Sequence, residues 1–232
     1  MTPLFDLPPS PLVPITGNAD GFPVHRIFCV GQNYAEHARE MGADPAKGKS
    51  PIYFTKSPSA YCRSGSGIAY PAGTQNCHFE MELVVAIGSP GARIDEADAL
   101  RHVFGYACGL DLTRRDLQAR AKEKGHPWDT AKDFENAAVL AAITPAENWG
   151  EAEERTIRLL QNGETRQQAK LSDMIWDIPA IIADLSRFYR LEAGDLIYTG
   201  TPAGVGPVAP GDALEGTIDG LEPVRLTIGK AD

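Results

Sequence analysis

Residues 79–88 read FEMELVVAIG, and residues 103–111 read VFGYACGLD. Each is a short apolar run bounded by turn-forming or polar residues, the pattern of a strand in a packed sheet. In the first run Glu80 and Glu82 alternate with Phe79, Met81 and Leu83. Strand side chains point to opposite faces in turn, so the spacing predicts both carboxylates on one face, about 7 Å apart along the chain. Val84 and Ala86 continue that face. Two like charges beside an apolar stripe repel and are poorly solvated unless a cation lies between them or one carboxyl takes up a proton. Spacing alone fits an exposed strand end equally well. Asp111 shifts the balance, because it closes the second run where a strand gives way to a helix, a position from which side chains enter clefts.

Three carboxylates of hard oxygen character suit Mg²⁺ or Mn²⁺, with Ca²⁺ a possible replacement for either, and do not suit a thiolate-bound zinc. Three protein oxygens leave coordination positions for water and substrate, as a catalytic metal requires. His78 shares strand parity with Glu80, but a core or hydrogen-bonding role fits it better than ligation.

Around this centre the sequence predicts a β-rich α+β fold rather than a doubly wound parallel sheet. Residues 1–24, rich in Pro and Gly without sustained period, read as an extended leader over one domain spanning 25–232. Residues 27–30 form a strand running into Gly31. Asn33 and Glu36 make a capping box for a helix over 34–41 that stops at Gly42. Residues 44–73 read as loop, broken by a strand at 51–55. Thr113 with Asp116 repeats the capping signature for a helix ending at Gly125. Asn162-Gly163 predicts a tight hairpin. Ile178, Ile181, Ile182, Leu185, Phe188 and Tyr189 recur at helical spacing, predicting one core helix. Strands return at 196–199 and on either side of Asp219-Gly220, after a Gly/Pro loop over 200–210.

The length of 232 residues is enough for a substantial core without staples, and 43% hydrophobic with 23% charged residues is ordinary for a globular chain. A net charge of -9 argues against a sequence-independent grip on nucleic acid. Small anions respond to the local field and are not excluded. No segment approaches bilayer length, and the N-terminus lacks a secretory pattern, so the expectation is a cytoplasmic protein without membrane or nucleic-acid partners. Cys29, Cys62, Cys77 and Cys108 contain no CxxC pair and read as reduced thiols.

Four stretches, VGQNYAEHAREM (30–41), HFEMEL (78–83), GYACGLDLT (105–113) and YTGTPAGVG (198–206), resemble the fumarylacetoacetate hydrolase family. The similarity is greatest to its short acylpyruvate and fumarylpyruvate hydrolase branch. It covers roughly residues 25–230, with the four motifs in the family's order. The resemblance implies a mixed-sheet β-roll, Mg²⁺ or Mn²⁺ held by Glu80, Glu82 and Asp111, a small 2-oxo acid substrate, and a homodimer. The chain departs from the family at Gln32, where Arg is common, at Ser57 after Lys56, where Pro is common, and at Asp133 after Lys132, where Ser or Gly is usual.

His37 and Glu40 are three apart and share a helix face. Alone they read as a solvated face; the resemblance makes them the water-activating pair. Lys132, otherwise an ordinary surface lysine, matches the lysine expected to face the developing oxyanion or protonate the enolate. Arg115 and Gln118, three apart on the next helix, can hold the substrate carboxylate, and Thr201 can add hydroxyl and backbone donors. The expected activity is hydrolysis of fumarylpyruvate to fumarate and pyruvate. The alternatives are another acylpyruvate, oxaloacetate decarboxylation, isomerisation or decarboxylation of a dioxo acid in aromatic degradation, and a metal-stabilised binding protein without turnover.

Overall fold

The computed structural model describes residues 3–42, 50–152 and 154–231. Its centre is a mixed eight-stranded sheet. The order is Ile52–Lys56, Arg26–Gly31, Asp195–Tyr198, Met81–Ile87, Val103–Asp111, Ala138–Leu140 and Tyr61–Arg63, with Thr144–Pro145 also against Val103–Asp111. Met81–Ile87 is buried along its whole length. The strand has neighbours on both edges and packed layers on both faces, so its residues are apolar with no polar alternate face except at Glu82.

A five-stranded sheet, Glu164–Lys170, Thr156–Gln161, Ala213–Ile218, Val224–Ile228 and Ser66–Ile68, packs beside it. A three-stranded sheet joins Thr113–Arg114, Cys77–Phe79 and Gly206–Pro207. The architecture is β-rich with few helices, as the sequence predicts. Asn162 and Gly163 both have positive φ, at 55° and 83°, and close the predicted hairpin. Gly125 ends the helix Arg115–Lys124 in the left-handed conformation.

Several expectations change. The run expected as one strand from Phe79 breaks at Glu80: Cys77–Phe79 lies in the small sheet and Met81–Ile87 in the large one. Asn33 does not cap the helix Ala35–Glu40. Instead its side chain donates to Trp176 O at 2.9 Å and Thr199 O at 2.8 Å and accepts from Trp176 N–H at 2.8 Å, so its polar ends are used across the fold. Thr113 and Asp116 are diverted likewise, to Lys132 and Thr74. The helix that Asp177 caps covers only Ile178–Leu185, leaving Phe188 and Tyr189 65% and 43% exposed rather than in the core.

Within the expected leader, Leu12–Pro14 pairs with Gly21–Pro23, and Val13, Phe22 and Val24 are buried. Residues 1–2, and residues 44–49 of the expected loop, lie outside the described residues. All four cysteines are buried and free. Among the described residues no helix is long and apolar enough to cross a membrane, which leaves strands untested.

Candidate functional site

Sheet register explains how acids distant in sequence converge. Glu82 pairs with Gly109, and Asp111, two residues further along the same strand, shares that face. Glu80 sits at the break between sheets, where its carbonyl accepts from Asp111 N–H at 2.9 Å. Ligand oxygens of Glu80, Glu82 and Asp111 lie within 4.8 Å of one another, and all three residues are buried.

Three buried cations face them. Lys132 Nζ donates to Glu80 Oε2 at 2.8 Å, Asp111 Oδ2 at 2.6 Å and Thr113 Oγ1 at 2.7 Å, which uses all three of its protons. Arg115 donates through Nη2 to Glu80 Oε1 and through Nη1 to Gln118 Oε1, the latter at 2.6 Å. Lys56 Nζ stands 2.8 Å from Asp111 Oδ1 and donates to the backbone oxygens of Leu112 and Lys132.

The balance is uneven across the acids. Burial would push the Glu80 carboxyl up, but Lys132 and Arg115 outweigh it and hold Glu80 well below the usual carboxylate range. Burial pushes Glu82 well above that range, reinforced by Asp111 and Glu80 and only partly opposed by Lys132. Gly200 N–H, donating to Glu82 Oε2 at 2.7 Å, does not reverse this. Lys132 is raised above its ordinary value because Asp111 and Glu80 overcome its burial.

These residues fit a hard divalent cation. Three buried carboxylates converge, no thiolate or imidazole is among them, and Asp111 Oδ1 has no hydrogen-bond donor in good geometry among the described residues.

His37, 4% exposed, lies with Nδ1 3.0 Å from Glu40 Oε2. A carboxylate only accepts, so Nδ1 carries the proton and Nε2 is left as the basic nitrogen. Gly204 N–H donates to both Glu40 oxygens, at 3.2 and 3.3 Å. Gly204 has φ +95°, and a Cβ there would come within 2.1 Å of Arg166 O, so no other residue fits that approach.

One cavity is lined by His37, Glu80, Glu82, Arg115, Gln118, Lys132 and Thr201. Glu40 and Asp111 stand behind it, bonded to His37 and Lys132. The structure therefore brings all nine sequence-predicted site residues to one place, with two differences of detail. Lys132 is turned onto protein oxygens rather than open space, and Arg115 is engaged with Glu80 and Gln118 rather than held free for a ligand. His78 is not in the cluster; its Nε2 meets Asn76 Oδ1 at 3.0 Å.

Sequence reasoning missed Lys56 and Gln167 as site residues. Gln167 Oε1 accepts from Met81 N–H at 3.0 Å, satisfying a donor between the two glutamates. Its Nε2 donates to Thr201 Oγ1 at 2.8 Å and Pro202 O at 2.7 Å. It is 1% exposed in a strand otherwise largely open to solvent, and its partners lie 86 and 34 residues away. Two departures from the family pattern also meet: Asp133 Oδ1 accepts from Ser57 N–H and Ser57 Oγ, each at 2.9 Å. Proline at 57 has no N–H to give. The bond joins the chain beside Lys56 to the chain beside Lys132.

Residues 26–229 match the family model for the fumarylacetoacetate (FAA) hydrolase C-terminal domain. The chain is 50% identical over 181 residues to a fumarylpyruvate hydrolase of Ralstonia sp, covering 78% of this chain and 94% of that one. It is 42% identical over 206 residues to the mitochondrial oxaloacetate tautomerase of Mus musculus, covering 89% and 92%. Among solved structures, the fumarylpyruvate hydrolase from Pseudomonas aeruginosa in complex with Mn²⁺ and pyruvate superposes with a TM-score of 0.96 at 42% identity, covering 99% of this chain and 100% of that one.

Proposed function

Because the chain belongs to the fumarylacetoacetate hydrolase family, whose members it matches along most of its length, we propose that this enzyme hydrolyses the carbon–carbon bond of an acylpyruvate. Fumarylpyruvate is the substrate we assign, with fumarate and pyruvate as products. The observation that carries the reading is the buried Glu80–Glu82–Asp111 triad sharing one cavity with the His37–Glu40 pair.

The three carboxylates would hold Mg²⁺ or Mn²⁺, which when bound supplies a Lewis acid that chelates a 2-oxo acid and stabilises negative charge on it. The remaining steps belong to side chains. His37 Nε2 takes a proton from water while Glu40, itself held by Gly204 N–H, fixes the ring and balances the imidazolium. The hydroxide oxygen adds to the acyl carbonyl carbon. The bond to the pyruvyl methylene breaks with its electron pair passing to pyruvate, and a proton then completes pyruvate's methyl group. Lys132 can supply that proton or steady the oxyanion by releasing one of its three protein contacts. Thr201, aimed by Gln167, and Gln118 add donors at the cavity wall. A homodimer and a cytoplasmic location accompany this reading; sedimentation velocity checks the first.

The test is a side-by-side assay of Mg²⁺- and Mn²⁺-loaded protein on fumarylpyruvate, acetylpyruvate and oxaloacetate, before and after exhaustive chelation. Turnover that survives chelation refutes the reading. The identity to oxaloacetate tautomerases supports a second one, proton transfer on oxaloacetate without water attack. His37→Ala separates the two. Hydrolysis should fall about 10²–10⁴-fold with the general base gone, whereas tautomerisation, which needs no activated water, should persist.

A further inference from the structure

The helix Arg115–Lys124 sends three polar side chains along one face, Arg115, Gln118 and Lys122, at spacings of three and four residues. The first two are bonded to each other, and Arg115 also to Glu80. Lys122 differs. It is half-buried and lines the same cavity, yet among the described residues it makes no ion pair or hydrogen bond through Nζ. Its neighbours there are the face of Trp128, whose ring centroid lies 5.2 Å from Nζ, and Phe54, whose ring lies 5.9 Å from that of Trp128. Burial, and then the Arg115 guanidinium, lower its pKa from the ordinary lysine value.

A half-buried ammonium set against an aromatic face and without a carboxylate recovers only part of the hydration it loses, a cost that an anionic ligand would offset. Lys122 stands seven residues past Arg115, about 10 Å along the helix axis, and helix side chains lean toward the N-terminus, back toward the acid cluster. It is therefore placed beyond the position that Arg115 and the carboxylates define, past a flat aromatic wall.

Resting on the hydrolase reading above, we propose that Lys122 receives a carboxylate at the far end of the acyl chain, with Trp128 and Phe54 against the chain between. The enzyme then selects acylpyruvates whose acyl group ends in a carboxylate over those whose acyl group ends in a methyl. Lys122 is a specificity-determining residue, separate from the acids that hold the 2-oxo end.

The test compares kcat/KM for fumarylpyruvate with that for the acylpyruvate in which a methyl replaces the terminal carboxylate. The wild-type ratio should stand well above one. In K122M it should fall about tenfold or more, chiefly through KM, as expected for a lost charge-assisted bond, while K122R keeps most of it. K122Q, read the same way, guards against a folding defect in K122M. A ratio within twofold of wild type in K122M and K122Q overturns the proposal, whether or not both rates fall. A wild-type ratio near one overturns it while leaving the hydrolase reading intact; hydrolysis of neither substrate removes that reading and this proposal together.

Discussion

On the cavity floor Glu80 and Asp111 are answered by Lys56, Lys132 and Arg115, all buried and most bonded more than once, while Glu82 accepts from Gly200 N–H and has no ion-pair partner among the described residues. On the rim, Lys122 has no ion-pair partner among the described residues and His37 is tied through one nitrogen only. Glu82 and Asp111 of the floor stand on adjacent strands of the central sheet, so their spacing comes from ladder register, while Arg115 and Lys132 reach in from helices. The rim is built from two helices and a Gly/Pro loop, joined by side-chain bonds such as Glu40 to Gly204. A site divided this way keeps the geometry of its three carboxylates fixed by the core and, on the proposed function, leaves substrate choice to residues that can change without breaking it.

Asp111→Asn should unbalance the floor more than any change on the rim. It leaves Lys56 and Lys132 short of a buried counter-charge and should cost about 3–5 kcal/mol in urea unfolding, along with metal binding. A loss below 1 kcal/mol would show that the floor is not a mutually dependent unit. Rim changes such as His37→Ala should stay within about 1 kcal/mol in the same assay.

Next in size is the pH dependence of metal affinity. Glu82 is raised, so in the metal-free protein it is protonated below its shifted pKa, and a cation must displace that proton. Affinity should therefore climb with pH, by up to about tenfold per unit, until Glu82 ionises unaided. Calorimetric titration in buffers of different ionisation enthalpy reads the protons released; an affinity and a proton release that do not change with pH would contradict the raised Glu82.

Gln167→Ala probes the joint between floor and rim. It strands Met81 N–H and frees Thr201, so a stability loss of about 1–3 kcal/mol is expected, with about a tenfold fall in kcat/KM from a misplaced Thr201. Gln167→Glu can still accept from Met81 but cannot donate to Thr201, and should retain more stability than activity.

The smallest effect belongs to the Ser57–Asp133 bond. A double-mutant cycle of Ser57→Ala and Asp133→Ala should give a coupling of about 0.5–1 kcal/mol, and independence of the two would show that the bond does not brace the lysines.

What could be read from sequence follows from how local its cause is. Glu80 and Glu82 betray themselves by parity, and Asn162-Gly163 by its required φ. Asn33 misleads because its side chain satisfies a loop 143 residues away before it can serve its own helix. Phe188 and Tyr189 keep helical spacing after the helix has ended at Leu185. Lys56 and Gln167 carry no local signal, since only the packed sheets bring them beside Asp111 and Met81.

The break at Glu80 turns the proposed metal centre into a gauge of tertiary strain. Because this one acid is anchored where the chain leaves the three-stranded sheet and enters the central one, any sliding of the two layers changes its separation from Glu82 and Asp111. Conservative substitutions deep in either layer, far from the cavity, should then register as weakened ion affinity well before they lower the melting temperature.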